Sequence, residues 1–382
     1  MLSYSRQSIT EEDVAAVVEV LQSDWLTTGP VVEQFEQAFA RHVGATAAVA
    51  LSSGTAALHA AMFALGIGPG DEVIVPAMTF AATANCVVFQ GGTPVFADID
   101  PETLLLGSDQ VLSRLSPRTK AIIAVDYAGQ PCDYAALRSV AGEHGVALVA
   151  DASHALGGRD GTRPVGSLAD LSTFSLHPVK PITTGEGGVV TTDIAEAASQ
   201  MRRFRNHGFT TDHRQRRNNG SWFYEMTELG YNYRLTDFQC ALGLTQLGRL
   251  DGGITRRRQI ASRYDEAFAG MRGIEPVATR RGVLHGRHLY VVRIRRGMCG
   301  VGRDAVFEVL RRRGIGAGVH YIPVHLHPFY RERLGTAEGD CPVAEAAYQE
   351  ILSLPIFPDM RDEDVEHVID TCVSILSGSK TS

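Results

Sequence analysis

The feature that most constrains this chain is an alternation. Short apolar runs with strand character recur through its first half, at residues 47–51, 72–75, 94–97, 121–125, 147–150, 172–175 and 188–191. Between several of them lie segments with helical spacing, at 56–65, 81–89 and 134–144. Strands this short and this evenly apolar cannot keep one face in water. Separated by helices, they predict an α/β layer fold with a mostly parallel sheet covered on both faces. Two helix starts carry their own caps. Thr10 stands three residues before Asp13, and Thr236 three before Gln239, the spacing of a reciprocal capping box.

Beyond about residue 260 the pattern shifts. The arginine-rich "TRRRQ" near residue 255 predicts the start of a helix, "HLYVVRIRR" a strand, and 304–313 a helix stopped at Gly314. "GAGVHYI" reads as another strand. Val365, Val368, Ile369, Cys372, Val373 and Leu376 mark a closing amphipathic helix. The expected organisation is a large domain over residues 1–255 and a smaller α+β domain over 256–382.

Charge and cysteine usage remove several classes of function. A formal net charge of −7 leaves no footprint for nucleic acid or an anionic membrane. No apolar run approaches the ~18–20 residues that span a bilayer. The opening "MLSYSRQSITEED" lacks the basic-then-apolar order of a signal peptide. The six cysteines have no CxxC or metal-ligand spacing, so reduced thiols, no metal site and a cytoplasmic location are expected.

Three stretches could carry chemistry. In "VALSSGTAALHAAMFAL" a strand gives way at Ser53, Gly54 and Thr55 to a helix, whose free N–H groups could cradle a phosphate; an ordinary helix cap would look the same. In "VALVADASHALGG" the acid Asp151 ends a buried strand and His154 follows, although Asp-x-x-His lacks a third metal ligand. In "LSTFSLHPVKPITTGEGG" a lysine, Lys180, sits between prolines in an apolar stretch. Burial lowers the pKa of an amine, and an amine so activated forms a Schiff base with a carbonyl. A phosphate cradle, a strand-end acid and a buried amine together suit pyridoxal 5′-phosphate, with Phe80 of "PAMTFAATAN" placed to stack on its ring.

The ordered blocks "SSGTAAL", "MTFAATAN", "DASHALGG", "TFSLHPVKPITTGEGG" and "GYNYRLTDFQCALGLTQL" resemble the StrS/DegT family of nucleotide-sugar aminotransferases. The resemblance runs from "SDWLTTGP" to "VHYIPVHLHP" and implies the aspartate-aminotransferase (type I) fold. By it, Lys180 matches the Schiff-base lysine, Asp151 the partner of the pyridine nitrogen, and His154 the residue beside the cofactor ring. Gly54, Thr55 and Ser175 match phosphate contacts, and Phe80 the stacking aromatic. Asn232 matches a phosphate ligand supplied by the neighbouring subunit, which implies a homodimer with shared active sites.

"VDYAGQPCD", "SHALG" and "VHYIPVH" are most similar to the branch acting on UDP-4-keto-6-deoxy-N-acetylhexosamines in pseudaminic acid biosynthesis. Leu176 and Ala152 depart from the common family pattern. That likeness implies L-glutamate as amino donor, a keto-sugar nucleotide as acceptor, and His320 and Tyr321 on the substrate side. The basic, aromatic stretch "NHGFTTDHRQRRNNGSWFYE" offers Arg217 and Trp222, with Arg214 and Arg216, to a nucleotide diphosphate or simply to solvent. Other keto-sugar nucleotides, a sugar dehydratase on the same fold and a cofactor-binding regulator are the alternative readings.

Overall fold

The computed structural model describes residues 1–376. In chain order the first strands are β1 (Ala47–Leu51), β2 (Glu72–Pro76), β3 (Thr93–Ala97), β4 (Thr119–Val125) and β5 (Ala147–Asp151). After β6 (Arg159–Asp160) and β7 (Arg163–Pro164) come β8 (Leu171–Ser175) and β9 (Gly188–Thr192). The seven longer strands make one sheet in the order β1-β9-β8-β5-β4-β2-β3. Parallel pairings run from β8 through β5, β4 and β2 to β3. The exception is β9, which pairs antiparallel with both β1 and β8. Every residue of β2 and of β9 is buried, as expected of strands covered on two faces.

The remaining strands are β10 (Ile274–Pro276), β11 (Val283–Leu284), β12 (Tyr290–Ile294) and β13 (Ile351–Leu354). Strand β11 joins β6 and β7 in a small sheet, while β10, β12 and β13 form a second three-stranded sheet. Helices Arg303–Arg312 and Asp362–Leu376 share a separate core with this last sheet, including Tyr264, Tyr290, Leu310, Leu352 and Val365. The proposed division at residues 255/256 falls inside the helix Leu250–Phe268, between Ile254 of the main core and Ile260 of the second.

That helix begins five residues before "TRRRQ" and includes Gly252 and Gly253. Two glycines cost about 1 kcal/mol each in a helix, and burial of Leu250 and Ile254 offsets it. "GAGVHYI" is not a strand. Its one ladder contact is a bridge between Gly318 and Ser353, and beyond it the Tyr127 hydroxyl donates to the His320 carbonyl. The chain there serves the placement of two side chains rather than a sheet edge.

Both capping boxes form as the sequence predicts. The first also does tertiary work. Asp13 accepts from the Thr10 N–H at 2.9 Å, from Thr245 Oγ1 at 2.5 Å and from Gln246 Nε2 at 2.9 Å, and pairs with Arg249. Its side chain is fully buried. Burial pushes its pKa up, but the bonds from Thr245 and Thr10 and the charge of Arg249 outweigh that and hold it below the ordinary 3.8. A carboxylate with a depressed folded pKa stabilises fully above its unfolded pKa and loses that contribution as pH falls through the folded one. Asp13→Asn should therefore cost about 2 kcal/mol at pH 7, and denaturant melts should show the penalty shrinking as the pH drops below the usual carboxylate range. An equal penalty across that range would refute the linkage.

Candidate active site

A cavity of about 340 Å³ opens at the carboxyl ends of β1, β2, β5 and β8. This is where a parallel sheet presents loops and helix N-termini to a ligand. After β1, Ser53 caps the helix Gly54–Ala64, its hydroxyl accepting the Ala56 N–H at 3.0 Å. The N–H groups of Gly54 and Thr55 are left in the open first turn, where the helix dipole favours an anion. A Cβ on Gly54 would lie 2.9 Å from Ser175 Cβ, so glycine lets the end of β8 close against this turn. Ser175 thus borders the same space. A Cβ on Gly188 would lie 2.3 Å from the Ser53 carbonyl oxygen, which explains a glycine at the end of "GEGG".

Asp151 is the last residue of β5 and is buried. Its Oδ2 accepts from Thr83 Oγ1 at 2.7 Å, and its Oδ1 from the Ser153 N–H at 3.2 Å. Thr83 is itself held by a 2.7 Å bond between its hydroxyl and that of Thr79. These bonds fix the carboxylate at the cavity wall.

Lys180 ends a turn closed by its N–H to the His177 carbonyl at 2.9 Å. Ser5 Oγ donates to the neighbouring Val179 carbonyl at 3.0 Å, tying the loop to the N-terminal segment. The lysine side chain keeps some contact with solvent through the cavity. Enclosure by protein nevertheless pushes its pKa from 10.5 down to about 8, with the charge of Asp151 pulling the other way and outweighed.

His154 is buried, with Nε2 3.0 Å from the Tyr321 hydroxyl and Nδ1 without a partner. Burial, helped by the charge of Lys180, holds its pKa well below 6.5, so the imidazole is neutral. His320 also borders the cavity, with Nδ1 2.9 Å from Ser353 Oγ. Burial and Lys180 take its pKa down to about 4. Phe80, the residue before the helix Ala81–Phe89, is 59% exposed, with its ring 5.9 Å from that of Tyr321.

Nine residues singled out in the sequence therefore border one space: Gly54, Thr55, Phe80, Asp151, His154, Ser175, Lys180, His320 and Tyr321. Asn232, Arg217 and Trp222 do not. Asn232 is exposed and bridged to Asn206, Arg217 lies 5.5 Å over the Trp25 ring, and Trp222 is 84% exposed. Arg214 pairs with Glu33, and Arg216 stacks on Tyr224. A larger cavity of about 620 Å³ lies between these loops and the helix Pro30–Val43, away from Lys180. Chemistry rather than size identifies the smaller one.

Sequence reasoning missed His288, Thr83 and Tyr4. His288 is buried at the cavity wall, its ring 4.5 Å from that of His154, and burial keeps it neutral. It opens the strand-like "HLYVV", and nothing in that run shows which side of the molecule it faces.

The DegT/DnrJ/EryC1/StrS aminotransferase family model matches residues 7–373. The chain is 43% identical over 380 residues to the spore coat polysaccharide biosynthesis protein SpsC of Bacillus subtilis, covering 99% of this chain and 98% of that one. Among solved structures it resembles a protein described as the sugar aminotransferase Spr1654 of Streptococcus pneumoniae, PMP form, with TM-score 0.93, 33% identity and coverage of 99% and 100%. It also resembles Helicobacter pylori PseC, an aminotransferase involved in pseudaminic acid biosynthesis, with TM-score 0.91, 31% identity and 99% coverage of each chain. Among the described residues no helix is long and apolar enough to cross a membrane.

Two outcomes follow from this geometry. In protein freed of cofactor, reductive modification of Lys180 by a small aldehyde should rise with pH through a midpoint near 8; a midpoint near 10.5 would remove the activated amine. Gly54→Ala should force the first helical turn away from Ser175, costing about 1–3 kcal/mol of stability by overpacking. Calorimetric melting measures that cost, and an unchanged melt would show that the close approach is not needed.

Proposed function

This chain belongs to the DegT/DnrJ/EryC1/StrS aminotransferase family, and from that premise we propose that it moves an amino group from L-glutamate to the C4 keto carbon of a UDP-4-keto-6-deoxy-N-acetylhexosamine. The observation that carries the reading is a lysine amine lowered to about 8 that borders one cavity with Asp151 and an open helix N-terminus.

Pyridoxal 5′-phosphate is the cofactor, as the PLP and PMP forms of the Streptococcus neighbour indicate. The residues present fit it, because the N–H groups of Gly54 and Thr55 lie in an open helix turn that glycine lets close against Ser175, and His154 Nδ1 is a buried atom without a partner. When bound, the cofactor supplies an electron sink and carries the amine between donor and acceptor. Gly54, Thr55 and Ser175 would hold its phosphate, and Phe80 would lie against its ring. Asp151 keeps a proton at the ring nitrogen. His154, neutral and held by Tyr321, offers its free nitrogen beside the ring. Lys180 would hold the cofactor's aldehyde and, when its amine is free, would serve as base and acid. An amine made less basic by its enclosure would take a proton from the donor carbon and return one.

We further propose a homodimer in which Asn232 completes the partner's phosphate site. In support, the loop around it exposes Trp222, Phe223, Met226 and Leu229, apolar surface that a second copy would cover. Arg217 and Trp222 then serve the nucleotide from that loop. Six free cysteines, five of them buried, suit a cytoplasmic location.

The identity with SpsC favours a second reading, in which the acceptor is another keto-sugar nucleotide feeding a polysaccharide. The presence of Lys180 weighs against a dehydratase and against a binding protein without turnover.

Initial rates against glutamate and keto sugar should give parallel double-reciprocal lines, and intersecting lines would exclude the two-half-reaction scheme. Lys180→Ala should lose roughly 10²–10⁴-fold or more in rate, the range of a positioned acid–base group. A panel of UDP-, dTDP- and GDP-linked amino sugars run in reverse decides the acceptor. Turnover of no UDP-linked 4-amino sugar would sink the narrower assignment while leaving the family reaction standing.

A further inference from the structure

Lys180 also borders a second cavity of about 250 Å³, which the reaction above does not use. Its wall carries three arginines, Arg6, Arg249 and Arg257, against one carboxylate, the exposed Asp359. Arg257 is 1% exposed, inside the helix Leu250–Phe268. Its Nη1 donates to the carbonyls of Ile356 at 2.7 Å and of Arg287 and His288 at 3.4 Å. Its Nε has no partner, and among the described residues no carboxylate pairs with it. Desolvation pushes its pKa down to about 10 with no opposing charge to offset it. Arg249, its side chain a third exposed, pairs with Asp13 and leaves its Nε without a partner.

A buried charge is ordinarily paired or fully hydrogen-bonded. Arg257 breaks that rule, and the planar fork of a guanidinium matches an oxyanion. At about 250 Å³ the space is ample for one small oxyanion with its waters.

We propose that this cavity is a binding site for a small oxyanion, a carboxylate or a phosphate, held by Arg257, Arg249 and Arg6. The site lies where the N-terminal segment, the Lys180 loop and the helix Leu250–Phe268 meet. Its occupant therefore cross-links three parts of the chain that are distant in sequence. The proposal concerns binding alone, so it stands or falls separately from the identity of the sugar substrate.

Isothermal titration of the cofactor-loaded enzyme tests it, because the phosphate cradle at Gly54 is then filled. Inorganic phosphate and acetate are titrated in turn, with chloride at the same ionic strength as control. Saturable binding of either one above chloride is expected, and which of them binds tells phosphate from carboxylate. Arg6→Gln, an exposed position, should weaken that binding about fivefold, the worth of one charge-assisted hydrogen bond. A folded Arg257→Lys, which keeps the charge but loses the fork, should weaken it at least as much. No saturable heat beyond chloride in the unmodified enzyme, or an unchanged affinity in Arg6→Gln, overturns the proposal. If Arg257→Lys does not fold, Arg6→Gln decides alone.

Discussion

Taking an amine out of water costs free energy, and at Lys180 no nearby acid compensates for it in full. Asp151 favours the ammonium but is outweighed, and the pKa settles near 8. Everything around the lysine follows from making that position tolerable and useful. The loop is pinned by Ser5 to Val179, the neighbouring histidines are kept neutral by their own burial, and the Asp151 carboxylate is tied down by Thr83 and Ser153. The result is a weakly basic amine in a space whose other polar groups do not neutralise it.

The sheet is what brings these groups together. Parallel strands send all their carboxyl ends to one edge, so residues as far apart as Gly54, Phe80, Asp151 and Ser175 meet there without long loops. The reversed strand β9 lies between β1 and β8, and Gly188 at its start allows its backbone to touch Ser53. That contact, with the Gly54–Ser175 approach, draws the first helix turn and the end of β8 into one cradle. Two glycines without side chains thus set the dimensions of the proposed phosphate cradle.

Much of this was legible in the chain. The seven strands of the main sheet were readable because strands buried on both faces are continuous apolar runs, and the helix starts because Thr10 and Thr236 carry their partners three residues on. Nine residues singled out there border one cavity, several of them at or just past strand ends and all within recognisable blocks. "GAGVHYI" was misread because its His320 and Tyr321 border a cavity and Val319 packs on the cores instead of joining a sheet, and the early start of the helix Leu250–Phe268 was hidden by Gly252 and Gly253. His288 and Thr83 left no local trace, since a histidine at a strand start and a threonine in a helix are ordinary.

By itself the sequence determined the layer fold, the strand-end acid and the lone lysine, because apolar periodicity, caps and block order are local properties. It could not determine the state of that lysine, which depends on how completely distant segments enclose it. Nor could it reveal that Arg257, one of three consecutive arginines in a polar-looking run, is buried without an acid. Only the tertiary structure decided both, because desolvation and charge pairing arise from neighbours far away in the chain.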